Sequence, residues 1–241
     1  MTRFFAAPSD ITGGVIRLSA DDAAHILSLR LRPNDLFVVC DGNGADYICR
    51  LGERGAGSTA EIVEKRPSRG EPFVACDVYI ALAKGDRLDY AVQKSVELGA
   101  RSVILFKSKR CVAAPGDVSK KITRLQRIAL ETAKQCGRGR VPEVSAAAAF
   151  RSAVEQAARA GTPLFFYELE EKTSLKQALE QSGEISTVSV VTGPEGGFEP
   201  DEAEFARSAG MTTVTLGTRI LRCETAPAAV LAAVMFHTGD L

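Results

Sequence analysis

From residue 73 onward the sequence alternates short, unbroken apolar runs with stretches of helical periodicity, and no other feature narrows the fold as much. Phe73 to Leu82, Ser102 to Phe106, Pro163 to Tyr167, Thr187 to Val191 and Thr213 to Leu216 read as strands. Between them, Asp86 to Leu98 places Leu88, Ala91, Val92, Ser95 and Val96 on one helical face and stops at Gly99. Val118 to Cys136 reads as a long helix, Asp201 to Ala209 as a short acidic one and Pro227 to His237 as a closing one. A strand that is apolar on both faces belongs in a sheet covered on both sides, so the expected architecture is α/β with a mostly parallel sheet.

Residues 1 to about 70 follow a different pattern. Leu36 to Cys40, the turn cluster Asp41-Gly42-Asn43-Gly44 and the alternating Ala45 to Leu51 make a hairpin, and Thr59 to Lys65 supplies a further strand. A short helix fits Ser19 to Leu29, with Ser19 as its cap and Asp21 and Asp22 in its first turn. Arg66 to Pro72, with two prolines and a glycine, reads as a linker. The expected organisation is therefore a small β domain over 1–70 and an α/β domain over 71–241.

Composition excludes several classes. With 45% apolar and 25% charged residues among 241, the chain is neither disordered nor uniformly basic. No apolar run approaches the roughly 18 residues of a membrane span. Met1 to Pro8 lacks the apolar core of a signal peptide, so a soluble, cytoplasmic protein is expected. The six cysteines, at 40, 49, 76, 111, 136 and 223, form no C-x-x-C pair and read as small core residues. His25 and His237 stand far apart with no metal-binding or Ser-His-Asp pattern around them. No metal is expected.

The net charge of zero is a cancellation. Residues 1–70 hold 9 basic and 9 acidic side chains, residues 71–140 hold 14 and 7, and residues 141–241 hold 7 and 14. In the 118–138 segment, Lys120, Arg124, Arg127, Glu131, Lys134 and Arg138 recur at steps of three and four, opposite an apolar stripe that includes Ile122, Leu125, Ala129 and Ala133. Lys107, Lys109 and Arg110 precede them. Such a stripe is either a solvated face or a surface for a polyanion; its near-single sign, with i,i+4 repulsion of a few tenths of a kcal/mol per pair, favours the polyanion.

The sharpest local signal is Val190-Val191-Thr192-Gly193-Pro194-Glu195-Gly196-Gly197-Phe198, a buried strand running into a glycine-rich turn. It is either a tight strand–helix connection or a place where a ligand meets the backbone. It is not a phosphate loop, because no Lys-Ser or Lys-Thr follows and acids at 199, 201, 202 and 204 would repel phosphate. The spacing also fails the dinucleotide-binding fingerprint. A second signal is Leu216-Gly217-Thr218-Arg219-Ile220-Leu221-Arg222-Cys223-Glu224-Thr225-Ala226-Pro227, in which two arginines and a glutamate lead into an apolar helix.

Together, T-G-P-E-G-G-F at 192–198 and L-G-T-R-I-L-R-C-E-T-A at 216–226 resemble the ribosomal RNA small subunit methyltransferase E family, of the SPOUT class. The likeness extends through Gln93 to Gly99, Ser108 to Arg110, Glu131 to Gln135, Arg138 and Val141-Pro142, and at the N-terminus through Arg3 to Phe5, His25, Leu29 to Arg32 and Asp35. It implies a PUA-like β-barrel followed by a SPOUT-type methyltransferase domain with a C-terminal trefoil knot, which breaks the usual rule against threaded connections. It also implies a homodimer, 16S rRNA or the small ribosomal subunit as partner, and S-adenosyl-L-methionine as cofactor. By match, the cofactor would be held by Thr192, Gly193, Pro194, Glu195, Gly196, Gly197, Leu216, Gly217, Ile220, Leu221, Arg222, Glu224 and Thr225, with the end of the Tyr167 strand as a third loop. The implied reaction is methylation of uridine N3 at position 1498 of 16S rRNA, near the decoding centre. Arg222, Arg219 and Glu195 are then the catalytic candidates, and Arg3, Arg30, Arg32, Lys94, Arg110, Arg124 and Arg138 the RNA-binding ones. The rival readings are a SPOUT-class ribose 2′-O-methyltransferase and a non-catalytic RNA-binding or ribosome-assembly protein.

Overall fold

The computed structural model describes residues 1–32, 35–52, 59–112, 118–147 and 149–241. They divide into two units, Met1–Glu71 with Glu131–Val141, and Pro72–Leu130 with Pro142–Leu241. The segment 131–141, expected from the sequence in the second domain, thus belongs to the first unit.

The first unit is mainly β structure. Its elements are β1 (Arg3–Phe5), β2 (Ile11–Thr12), β3 (Val15–Arg17), α1 (Ala20–Ser28), β4 (Phe37–Cys40), β5 (Ala45–Leu51) and β6 (Thr59–Pro67). The strands lie in the order β1-β4-β5-β6-β3-β2, with β1 parallel to β4 and the other pairs antiparallel. The expected hairpin is β4–β5, with Val39 opposite Tyr47. Ser19 caps α1 by accepting from the Asp22 amide at 3.0 Å. The interior is filled by Phe4, Ile16, Phe37, Val39 and Cys49, with Phe4 edge-on to Phe37. Strand β6 runs to Pro67, so the first two residues of the expected linker are strand.

Against this core lies a buried polar cluster. Asp46 is 2% exposed and accepts two hydrogen bonds from the Arg3 guanidinium, at 2.7 and 2.9 Å, and one from the Ser68 hydroxyl. Arg138, 4% exposed, bonds Glu71 at 2.8 Å, and the same carboxylate accepts from the amides of Gly139 and Arg140. Burial alone would raise the Asp46 carboxyl; the hydrogen bonds from Arg3, Ser68 and Cys40 outweigh it and hold the group below its ordinary value.

The second unit contains β7 (Ala75–Ala81), α2 (Arg87–Glu97), β8 (Ala100–Phe106), α3 (Val118–Cys136, whose last turn falls in the first unit), β9 (Glu143–Ala146), α4 (Phe150–Ala157), β10 (Thr162–Phe166), α5 (Leu175–Gln181), β11 (Thr187–Thr192), α6 (Pro200–Ser208), β12 (Thr212–Val214) and α7 (Thr225–Thr238). Its sheet is wholly parallel, in the order β12-β10-β11-β7-β8-β9, which is the α/β architecture expected. In α2 the five residues assigned to the apolar face are all buried, and Gly99 ends it with φ +90°. Val230, Leu231, Val234 and Met235 of α7 are at most 1% exposed within the chain. They are core residues of this unit.

Candidate active site

The chain adds β7, β8 and β9 outward in one direction and then returns to place β11 beside β7 and β10 beyond it. Crevices form outside the carboxyl ends of parallel strands where the order reverses. A cleft of about 640 Å³ opens outside the carboxyl ends of β10, β11 and β12, walled by the loops that follow them.

The first wall is the glycine-rich turn. Gly197 has φ +69°, and a Cβ there would collide with the Glu168 carboxylate, so a side chain at 197 would displace that group. Glu168 accepts from the Phe198 amide at 3.0 Å. Arg110 donates to the Gly196 carbonyl at 3.0 Å and pairs with Glu199 at 2.8 Å. The second wall is 215–223, where Gly217 has φ +98° and Leu216, Ile220 and Leu221 line the cleft. Ile220 is 76% exposed, a large aliphatic side chain offered to a ligand rather than to the core.

Arg87, at the start of α2, joins the two motifs. It donates to Glu195 at 2.5 Å and lies 3.9 Å from Glu224. Glu195 also accepts from the Lys84 amide at 3.1 Å. Burial would raise the Glu195 carboxyl, but hydrogen bonds from its own amide, from Lys84 and from Arg87 hold it below the usual carboxylate range. A carboxylate stabilised in this way is a weak proton acceptor. Burial, together with donation to the Glu224 carboxylate, pushes the Cys223 thiol up to about 12, which leaves it protonated and unreactive near neutrality.

Of the expected ligand-contacting residues, Thr192 to Gly197, Leu216, Gly217, Ile220, Leu221 and Arg222 line the cleft. Glu224 and Thr225 do not: Glu224 faces Arg87 and Cys223, and Thr225 is the first residue of α7, its amide on the Arg222 carbonyl. Arg219 and Arg222 line the cleft, are exposed, and make no side-chain hydrogen bond or ion pair among the described residues. Arg110, a candidate RNA contact, lines the cleft. Arg3 and Arg138, expected at RNA, instead have their guanidinium groups buried in ion pairs with Asp46 and Glu71. Arg30 and Arg32 are exposed, Lys94 pairs with Glu97, and Arg124 pairs with Asp89. Sequence reasoning missed Arg87 and Glu168 because their partners lie 108 and 30 residues away.

No group of three His, Cys, Asp or Glu side chains suited to a metal occurs among the described residues, and no helix there is long and apolar enough to cross a membrane.

Residues 70–235 match the family model described as an RNA methyltransferase domain, which defines the class: the chain is an RNA methyltransferase. It is 31% identical to ribosomal RNA small subunit methyltransferase E of Mesomycoplasma hyopneumoniae, over 84% of this chain and 86% of that one, and 32% identical to the Synechocystis sp. protein of the same name, over 96% and 76%. Among solved structures, that of ribosomal RNA small subunit methyltransferase E from Neisseria gonorrhoeae bound to S-adenosyl methionine superposes with a TM-score of 0.85 at 30% identity, covering 98% of this chain and 97% of that one. The chain belongs to the ribosomal RNA small subunit methyltransferase E family.

Proposed function

We propose that this protein transfers a methyl group from S-adenosylmethionine to N3 of uridine 1498 in 16S rRNA. One observation carries the reading: the two motifs line a single cleft, and its wall joins exposed Ile220 to two arginines without ion-pair partners among the described residues. The cleft fits the cofactor. Leu216, Ile220 and Leu221 supply an apolar slot for a purine, and the glycine turn offers backbone groups at close range. When bound, S-adenosylmethionine supplies a methyl group already activated on a sulfonium.

The protein's task is then to favour the uridine anion. Losing the N3 proton to solvent water leaves charge on N3, O2 and O4, and a guanidinium at the rim stabilises that charge. Arg222 holds this role, because its carbonyl is fixed by the amides of Thr225 and Ala226 while its side chain is unpaired among the described residues. Arg219 is the second cation. Arg87 and Glu195 position the glycine turn. N3 lies on the Watson–Crick edge, so the base must enter unpaired or flipped out.

The first unit acts as a PUA-like barrel that binds RNA, and exposed Arg30 and Arg32 are its candidate contacts. The 216–224 segment forms part of a trefoil knot, a reading supported by the placement of β11 between β10 and β7. The protein works as a cytoplasmic homodimer, and Phe236, 75% exposed on α7, is apolar surface available to the contact. Primer extension on treated rRNA tests the chemistry, because N3 methylation blocks pairing and gives a hard stop. A methylated product without a stop would favour ribose methylation. Calorimetry with S-adenosylmethionine showing no binding would favour a non-catalytic RNA-binding protein.

A further inference from the structure

A second pocket, of about 410 Å³, lies at the same end of the parallel sheet, between the segment after β8 and the starts of α4 and α6. Lys107, Ser108 and Lys109 line it, and the next residue, Arg110, lines the first cleft, so one short segment borders both. Its apolar floor is Phe150 and Phe205, with ring centres 6.2 Å apart. The Arg151 guanidinium sits over the Phe205 ring, 4.2 Å from its centre. Two carboxylates also line the pocket, and both are already engaged: Asp201 pairs with Lys109, and buried Glu202 accepts from the amides of Lys109 and Glu199. Lys107 and Arg151 are exposed, and neither has an ion-pair partner among the described residues. Helix α4 begins at Phe150, after Ala149, with no side-chain cap, so its first amides have no intrahelical acceptor.

We propose that this pocket is an accessory nucleotide subsite, which takes one unpaired base of the RNA against Phe150, Phe205 and Arg151 while Lys107 and the α4 amides hold an adjoining phosphate. Bases stack on aromatic rings and on guanidinium planes, and cations beside such a platform hold the backbone of a single strand. A purely solvated basic surface would have no aromatic floor, and a protein-docking groove would not need unpaired cations at the start of an uncapped helix. The subsite rests on the RNA methyltransferase reading and adds a place where the enzyme grips the strand beside its target.

The test uses the full chain and 5′-fluorescein-labelled decauridylate, read by anisotropy, together with calorimetric titration of S-adenosylmethionine. Changing Lys107→Glu and Arg151→Glu together alters only exposed side chains. The expected result is a loss of RNA affinity of tenfold or more. The slope of log affinity against log salt should also shrink by about 0.7 for each phosphate that the protein no longer neutralises. Cofactor affinity should be unchanged, and KM for rRNA should rise with kcat retained. A Phe205→Leu variant, which keeps the apolar volume, is expected to weaken RNA binding without changing the salt slope. Unchanged RNA affinity in both variants, or no measurable binding by the parent protein, overturns the subsite. Failure of the parent protein to bind the cofactor would instead overturn the methyltransferase reading.

Discussion

Substituting Gly197 with alanine tests how the cleft is built. The residue sits at φ +69°, where an L side chain adds about 1–2 kcal/mol. The new Cβ would also collide with Glu168 Oε1. That atom ends a flexible side chain and can move, so the lasting loss is not the clash but the hydrogen bond from the Phe198 amide. A bond to a charged acceptor contributes about 1.5–3 kcal/mol, and Glu168's partial exposure argues for the lower half of that range. The turn is then displaced at a total of about 2–4 kcal/mol, or about 30- to 1,000-fold in an equilibrium constant. Calorimetry should show S-adenosylmethionine affinity weakened by that factor, with an unchanged circular dichroism spectrum and a cooperative melt. Glu168→Gln keeps an oxygen for the Phe198 amide and should weaken binding by less than tenfold. Cofactor affinity within threefold of the parent in Gly197→Ala would refute the claim that this carboxylate and this glycine shape the cleft.

Other outcomes follow from the same geometry. Arg222→Ala should lower kcat by about 10²-fold or more with cofactor affinity little changed, as for loss of one charge-stabilising group; near-normal turnover would remove Arg222 from that role. The folded Asp46 carboxyl is held below its unfolded value of about 3.9, so its contribution is complete above that pH and is lost as pH falls toward the folded value. Urea unfolding followed against pH should show this acid limb, and Asp46→Asn should flatten it while lowering stability at neutral pH by about 3 kcal/mol, because Arg3 is left buried without its partner. Cys223 should resist iodoacetamide at pH 7 in the folded protein and react after unfolding, as mass spectrometry of peptides would show.

Elements with a long or doubly apolar signature were legible in the sequence. Helix α3 spans Val118–Cys136 as its periodicity indicates, and α2 and β11 sit where their apolar residues place them. Short elements were not. Strand β1 has three residues, too few to show a period, and its partner β4 lies some 35 residues on. Helix α4 begins beside an alanine tract that hides its start. Helix α5 did carry a readable signal, since Ser174 and Gln177 form a capping box that Ser-x-x-Gln announces. At the site, the two motifs could be read because each is contiguous. Arg3 and Arg138 were misread as RNA contacts because sequence displays a charge without its partner, and Asp46 stands 43 residues from Arg3. The same blindness hid Arg87, whose bridging of Glu195 and Glu224 depends on packing that no local pattern encodes.

The most direct measurement is the identity of the methylated nucleoside. Unmodified 16S rRNA, free and assembled in the small subunit, is incubated with the protein and methyl-labelled S-adenosylmethionine, digested to nucleosides and resolved by mass spectrometry. The label is expected in 3-methyluridine, one per 16S molecule, and is expected to appear about 10²-fold more slowly, or slower still, with Arg222→Ala. Label in a 2′-O-methyl nucleoside, or in none with either substrate, would contradict this expectation.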